Sequence, residues 1–253
     1  MTFKFVPLIL TVSTILTGGL MGCGSEDDDT LPGPIAYYSF DAYAERAEDE
    51  SGNGHVATPG GKVEFLPQGG VGGTGAIQLD ANYEGLNLED RNGDLVEATL
   101  YGDNGYTMAA WVYPIDTTDD GSYHILYRFQ GYTLQLEKGE FHFWTRSPDL
   151  HSDFEYWNKT AVSVSGLRPA GANNTWWHLV GVADGNSVYL YVNGVLQDQN
   201  DEATVGRNLD EEQTTSIGDT GTAFGFRGII DEVVIYNTPL SAGQVKLLYE
   251  QNI

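Results

Sequence analysis

Val180-Gly181-Val182-Ala183-Asp184-Gly185 and Val188-Tyr189-Leu190-Tyr191-Val192-Asn193-Gly194 are two β-rich runs, and each ends in a turn dipeptide. Asp-Gly and Asn-Gly tolerate the positive φ angles that tight hairpin turns require. Two such turns in succession predict an antiparallel meander that continues into Val195-Leu196. Both alternating sets of side chains in 188–192 are bulky. This fits a strand covered on both faces, or a strand with an aromatic face open to a ligand.

Short segments of the same character recur along the rest of the chain. They are rich in aromatic and β-branched residues, and acidic turns and many of the 32 glycines separate them. Such spacing predicts an all-β sandwich. The other segments are Ile35–Phe40, Val63–Phe65, Ala76–Leu79, Gly85–Leu88, Tyr106–Tyr113, Tyr123–Phe129, Tyr132–Leu136, Phe141–Arg146, Trp176–Ala183 and Gly228–Tyr236.

One helix is predicted, at the C-terminal end. Ser241 is suited to cap its first turn, and Val245, Leu248 and Tyr249 recur at helical spacing. We expect this helix to lie across the edge of the sandwich.

The first 23 residues resemble the signal of a bacterial lipoprotein. Lys4 precedes an apolar run, and Leu20-Met21-Gly22-Cys23 resembles a lipobox, whose cysteine becomes the lipidated first residue of the mature protein. The alternative is a membrane-spanning helix, but the run is shorter than the roughly 20 apolar residues that such a helix needs. We expect residues 1–22 to be a signal peptide and residues 23–34 to be an acidic, disordered tether from Cys23. Residues 35–253 then form one domain.

The charge of the chain restricts its partners. The sequence has 36 acidic and 12 basic residues, which gives a formal net charge of −24. A chain this acidic repels nucleic acid, so no nucleic-acid partner is expected, but its carboxylates can hold a hard cation such as Ca²⁺.

The lipidation signal predicts that the protein lies in the bacterial cell envelope. Gly24 follows the cysteine, where an acid would signal retention in the inner membrane, so we expect the outer membrane, on either side.

Six segments, in order, resemble a laminin-G-like, concanavalin A-like jelly roll. The resemblance covers nearly all of residues 35–253 and implies an antiparallel two-sheet sandwich with a short C-terminal helix. Domains of this architecture include lectins, adhesion modules, glycosidases and lyases, so the fold alone does not give the function. The segments are Ala36–Asp41, Asp49–His55, Met108–Pro114, Trp176–Val180, Leu190–Gly194 and Gly228–Asn237.

A structural calcium site is expected from Asp41, Asn53 and Asp231. In an antiparallel jelly roll the first and last strands usually pair, which would bring Asp41 close to Asp231. Two carboxylates that close repel each other unless a cation lies between them, and Ca²⁺ accepts such oxygen ligands. Domains similar to this one hold a structural calcium ion at this place. The alternative is that both aspartates accept hydrogen bonds from backbone amides.

A ligand-binding face is expected on the segment that contains Trp144. Alternation along 141–146 puts His142, Trp144 and Arg146 on one side of a strand and two phenylalanines on the other. Aromatic faces stack on sugar rings, and Arg can bind the carboxylates of acidic sugars. Tyr156 and Trp157 in the following loop would extend that surface. The alternative is that either side simply packs inside the sandwich.

Catalysis is not expected. A retaining glycosidase needs two closely placed acids, and the nearest candidates, Asp231 and Glu232, should point to opposite faces of a strand. A lyase site could be assembled from Arg128, Gln130, His142 and Arg146, but no lyase signature surrounds them. We therefore predict a domain that binds a carbohydrate without altering it, stabilised by calcium. The alternatives are an adhesion or assembly module that binds protein in the envelope or outside the cell, and a polysaccharide-degrading enzyme.

Overall fold

The computed structural model describes two antiparallel sheets and one helix. No helix within the described segments is long and apolar enough to cross a membrane. The described residues are 30–42, 46–80, 83–89, 105–117, 121–128, 131–145, 161–163, 173–201, 215–218 and 221–251.

The larger sheet holds the first and the last strand. Its order is β13-β12-β11-β6-β15-β4-β3, and β1 also pairs with β15. Its strands are β1 (Ala36–Tyr38), β3 (Glu64–Leu66), β4 (Ala76–Leu79), β6 (Tyr106–Pro114), β11 (Trp177–Ala183), β12 (Val188–Val192), β13 (Val195–Asn200) and β15 (Gly228–Tyr236).

The smaller sheet faces the larger one and has the order β10-β9-β8-β7-β14-β5-β2. It contains β10, β14 and β2, which the sequence did not predict. Its strands are β2 (Val56–Pro59), β5 (Gly85–Glu89), β7 (Ser122–Arg128), β8 (Tyr132–Glu137), β9 (Glu140–Thr145), β10 (Ala161–Ser163) and β14 (Thr215–Gly218).

The two predicted hairpins are present. Asn193 and Gly194 have φ angles of 50° and 74°, and Gly185 has a φ angle of 93°. The Asp184 carboxylate accepts the Ser187 N–H at 2.7 Å, which fixes the first turn. Strand β12 is covered on both sides: Leu190 contributes to the core between the sheets and Tyr191 to a second cluster under the helix. The two bulky sets of side chains are thus explained by packing.

The first and last strands pair, as predicted. Residues Ala36–Tyr38 of β1 lie opposite Ile235–Val233 of β15. Strand β4 pairs with the same edge of β15 further along, through Gly228–Ile230. Two short strands therefore lie end to end along β15. We call the point where they meet the β15 junction, and Asp231 and Glu232 lie there.

The core lies between the sheets and is close-packed at Gly181 of β11. A Cβ atom added at Gly181 would overlap the ring of Phe143 in β9 of the opposite sheet. Phe143 is 1 % exposed and belongs to the main hydrophobic cluster. The glycine is therefore required by the approach of the two sheets at this point.

Helix α1 (Ala242–Gln251) lies on the outer face of the larger sheet, the face turned away from the smaller sheet. The prediction that it crosses the edge of the sandwich was wrong, because Val245 and Leu248 pack on strands in the middle of the sheet. Its capping was predicted correctly. The Gln244 N–H donates to Ser241 Oγ at 3.2 Å, and the Ser241 N–H donates to Gln244 Oε1 at 2.9 Å.

Aromatic rings complete the contact between helix α1 and the larger sheet. Tyr249 stacks on Trp111 at 5.6 Å between ring centroids, and His178 lies 5.1 Å from Trp111. Burial lowers the pKa of His178 to about 3, so this imidazole is neutral at pH 7. Trp111 and His178 are therefore buried beneath helix α1 and have a structural role.

We predict that Gly181→Ala destabilises the domain by about 1–3 kcal/mol, because the new methyl group forces Phe143 out of its position. Thermal or denaturant unfolding measures the effect. Gly221→Ala is the matched control, since a Cβ atom at Gly221 meets nothing within 4 Å. Equal stability of the two variants would show that the sheets do not approach each other at Gly181.

Candidate functional site

Strand β9 alternates as predicted. Phe141 and Phe143 are 3 % and 1 % exposed and point into the core between the sheets. His142 and Trp144 therefore belong to the opposite side, which we call the outer face of the smaller sheet. Trp144 is half-buried there and His142 is buried. The other three predicted ligand-binding residues, Arg146, Tyr156 and Trp157, lie outside the described residues.

Trp144 is one end of a row of side chains that crosses the outer face of the smaller sheet. Because neighbouring strands lie roughly 5 Å apart, two strand steps put Trp144 and Tyr127 roughly 10 Å apart along the row. Both aromatic side chains are half-buried and so partly accessible. In register order the row is Trp144, Thr133, Tyr127, Ser216, Asn87 and Thr58.

A second row runs beside the first and contains His142, Gln135 and His124. The rings of the two rows contact each other. His142 meets Trp144 edge-on at 6.1 Å, and His124 stacks on Tyr127 at 4.2 Å. Phe224, which is 48 % exposed, lies 5.4 Å from His124. Aromatic rings therefore lie on the outer face of the smaller sheet at β9 and β7, with Phe224 beside them.

Hydrogen-bonding groups lie among these rings. Thr133 Oγ1 donates to Gln135 Oε1 at 3.3 Å, and Gln135 Nε2 donates to Glu137 Oε2 at 2.8 Å. Burial lowers the pKa of His142, although the nearby Glu137 and Glu140 oppose the shift. His142 is therefore neutral at pH 7. Partly accessible rings beside amide, hydroxyl and imidazole groups are the chemistry that binds a sugar, which has an apolar ring face and hydroxyls at its edge.

The β15 junction contains two of the three predicted calcium ligands. Asp231 is fully buried, and its Oδ2 accepts the Val71 N–H at 2.9 Å and the Thr74 hydroxyl at 3.2 Å. Asp41 Oδ1 accepts the Gly75 N–H at 2.7 Å. Both aspartates thus bind the same glycine-rich loop, residues 70–75. Burial raises the pKa of Asp231 to about 7, and the charge of Glu232 adds to the rise.

Asn53 lies at the opposite end of β1 from Asp41 and does not join the two aspartates. Its amide donates to the Ile35 carbonyl at 3.0 Å, at the start of β1, whereas Asp41 lies beyond the end of that strand. The loop that contains Asn53 is organised by Asp49, whose carboxylate accepts the N–H groups of Tyr37 and Gly54. Burial alone would raise the pKa of Asp49, but the hydrogen bonds it accepts lower it below the usual range.

A β-bulge between Asp231 and Val234 changes the alternation of side chains in β15. Glu232 has a φ angle of 50°, and its Oε2 accepts the Tyr37 hydroxyl at 2.6 Å, on the outer face of the larger sheet. The simple alternation expected for Asp231 and Glu232 therefore does not hold. Within the described residues, no three side chains of His, Cys, Asp or Glu are placed to hold a metal ion together.

The residues considered for a lyase site are not brought together in the part of the chain that the structure describes. Arg128 is 1 % exposed and lies opposite Tyr132 and Thr215, on the core side of the smaller sheet. His142 lies on the other side of that sheet. Gln130 and Arg146 are outside the described residues, as is Cys23.

Comparison with known proteins agrees with this architecture. A model of the concanavalin A-like lectin/glucanases superfamily matches residues 80–246. The chain belongs to this family. No curated protein matches the chain by sequence.

Solved structures share the concanavalin A-like fold. Domain 4 of AbnA, a GH43 extracellular arabinanase from Geobacillus stearothermophilus solved with arabinotriose, is 22 % identical, with a TM-score of 0.61. The match covers 85 % of this chain and 98 % of that domain. The botulinum neurotoxin serotype D ligand-binding domain, solved with N-acetylneuraminic acid, is 16 % identical, with a TM-score of 0.59. That match covers 87 % of this chain and 51 % of the toxin domain, so the chain spans about half of it.

Several residues of this concanavalin A-like domain were not identified from the sequence. Tyr127 and His124 of β7 join the outer face of the smaller sheet through strand pairing with β8. Alternation within Tyr123–Phe129 could have put Tyr127 on the face opposite to Leu126, but the register between strands was needed to set it beside Trp144. Asp49 could have been found from its position before Ser51-Gly52, a common turn arrangement.

Proposed function

We propose that this concanavalin A-like domain binds a carbohydrate on the outer face of the smaller sheet and does not alter it. The row of accessible rings headed by Trp144 and Tyr127 is the observation that carries the proposal. Rings roughly 10 Å apart can each stack on a different sugar of one chain, and the hydrogen-bonding groups between them can bind hydroxyls. An extended glycan laid across the strands is the ligand that fits this arrangement.

Three observations support binding without catalysis. Two carboxylates, Glu137 and Glu140, lie beside His142 at the turn between β8 and β9, and Glu137 already accepts a hydrogen bond from Gln135 and pairs with Lys138. Arg128, the one described cation considered for a lyase site, lies on the core side of this sheet. In addition, two structures of this fold were solved with sugars bound, arabinotriose and N-acetylneuraminic acid.

We predict that Trp144→Ala weakens glycan binding at least tenfold, about 1.4 kcal/mol, because it removes one stacking platform. A glycan array that includes arabinan and sialylated chains finds the ligand, and calorimetry measures the affinity. Tyr189→Ala is the matched control, since Tyr189 is a half-buried aromatic residue on β12 of the larger sheet. The proposal fails if the array shows no binding, or if both variants bind like the wild type.

Protein binding is the second candidate function. Val195 and Leu196 are 61 % and 41 % exposed and adjacent on β13, the edge strand of the larger sheet. An exposed apolar edge strand can pair with another chain. A domain that binds no glycan but captures an envelope protein through β13 would be an adhesion or assembly module.

Calcium is proposed as a structural ion at the β15 junction. Asp231 and Asp41 both supply carboxylate oxygens to loop 70–75, and a hard cation prefers such oxygen ligands. A divalent cation would also favour the ionised form of the buried Asp231 carboxylate. Backbone carbonyls and water would complete the coordination. Asn53 is not included, because its amide is bound at the other end of β1.

We predict that calcium raises the melting temperature of the domain and that EDTA reverses the rise. At a calcium concentration 100 times the Kd, the stabilisation is about 2.7 kcal/mol. Asp231→Asn should abolish the calcium-induced rise, whatever its effect on the calcium-free protein. Asp201→Asn, which neutralises an exposed acid, should keep the full rise. A melting temperature that does not respond to calcium in the wild type would contradict the proposal.

The protein is proposed to be a lipoprotein of the bacterial cell envelope, held in the outer membrane by lipidated Cys23. The lipobox resemblance of Leu20–Cys23 and the acidic residues that follow it support this location. Mass spectrometry of the mature amino terminus should find cleavage before Cys23 and acyl chains on that residue. A mature protein that retains residues 1–22 would contradict it.

A further inference from the structure

A pocket of about 420 Å³ opens on the outer face of the larger sheet, away from the proposed glycan-binding face. This volume falls in the range of pockets that bind small organic groups. Four parts of the chain form it: the segment before β1, the paired strands β1 and β15, the loop that contains Glu50 and Ser51, and the end of helix α1. We call it the Glu232 pocket. Its walls include the apolar side chains of Leu31, Pro32, Pro34, Val234 and Leu248.

The polar part of the Glu232 pocket is acidic. Glu232 and Glu50 both line it, together with the rings of Tyr37 and Tyr236. None of the described residues lining it is Lys, Arg or His. The formal net charge of −24 adds a long-range field of the same sign. An anionic ligand is therefore disfavoured in this pocket.

Glu232 is placed to contact a ligand. It is 8 % exposed, and the β-bulge, with its φ angle of 50°, directs the side chain toward Tyr37 and the pocket. Oε2 accepts the Tyr37 hydroxyl at 2.6 Å. Oε1 receives no hydrogen bond from the described residues. Because Glu232 lines the pocket, Oε1 can accept a hydrogen bond from a ligand bound there.

We propose that the Glu232 pocket binds a primary ammonium group carried on an apolar carbon chain, as in a lysine side chain or a small organic amine. The ammonium donates to Glu232 Oε1 and is attracted by Glu50. The rings of Tyr37 and Tyr236 offer further contacts to a cation. The apolar walls formed by Leu31, Pro32, Pro34, Val234 and Leu248 cover the carbon chain.

The chemistry of the pocket favours an ammonium ligand over a sugar and over the chain's own acidic segment. A neutral sugar gains no charge attraction from two carboxylates and an acidic sugar is repelled by them, and the proposed glycan site lies on the other sheet. The chain's own acidic segment, Glu26-Asp27-Asp28-Asp29, carries the same charge as the pocket. Charge repulsion therefore disfavours this segment as a ligand of Glu50 and Glu232.

The test uses two probes that differ only in the ammonium group. Nα-acetyl-lysine-N-methylamide carries it, and Nα-acetyl-norleucine-N-methylamide has a similar apolar chain without it. Binding to the full mature protein is measured by calorimetry or NMR at saturating calcium. We expect the lysine probe to bind at least tenfold more tightly than the norleucine probe. Equal binding of the two probes, or no binding of either, would overturn the proposal.

Variants locate the site. Glu232→Gln keeps an acceptor for Tyr37 but removes the charge, so it should weaken binding of the lysine probe at least tenfold. Glu50→Gln should weaken it less and serves as a second variant if Glu232→Gln fails to fold. Glu64→Gln, on exposed β3, removes one charge from the same sheet outside the pocket and should bind like the wild type. Equal losses in Glu232→Gln and Glu64→Gln would overturn the assignment to this pocket.

Two further measurements complete the test. Cadaverine, a free diamine, is compared with the lysine probe. Tighter binding of the lysine probe indicates a protein side chain as the natural ligand, and tighter binding of cadaverine indicates a small amine. In a separate calcium-free sample, calcium is then titrated against the bound probe. Competitive displacement of the probe by calcium would show that the pocket is a metal site and would overturn the proposal.

Discussion

The pairing of β15 along both of its edges is the constraint on which the rest of the structure depends. Strand β6 takes one edge, and β4 and β1 share the other end to end. Backbone groups left unpaired at the β15 junction must find other partners. The Asp231 carboxylate supplies acceptors there, for the N–H groups of Val71 and Glu232. One buried acid thus joins the last strand to loop 70–75, and Asp41 joins the same loop to the segment after β1.

The two sheets differ in the side chains on their outer faces. The larger sheet packs on the main core with one face and on helix α1 with the other, so its strands carry bulky apolar residues on both sides. The smaller sheet packs on the same core, and its outer face combines aromatic and polar side chains. On that face Trp144 and Tyr127 are half-buried, whereas Thr133 and Gln135 are buried. The proposed glycan site therefore depends on the two partly accessible rings.

The sequence predicted the strands whose patterns are strong. The bounds of β4, β12 and β15 were predicted correctly because apolar residues fill them and clear turns flank them. Strand β14, Thr215–Gly218, was missed because its residues are small and mostly polar. The neighbours of Trp144 depend on register between strands that are distant in sequence, and no local pattern encodes that register. The bulge at Glu232 could not be predicted from the sequence either, because bulges have no fixed sequence signal.

The chain enters the domain on the side of helix α1. The Thr30 carbonyl accepts a hydrogen bond from Gln244 of helix α1 at 3.0 Å, and Leu31 packs against the cluster beneath that helix. The chain therefore arrives at the back of the sandwich, with both sheets between its point of entry and the Trp144 ring. If the amino terminus is fixed to a surface, the molecule stands with its helix toward that surface and its sugar-compatible rings toward the surroundings. Attachment and recognition would then not compete for space.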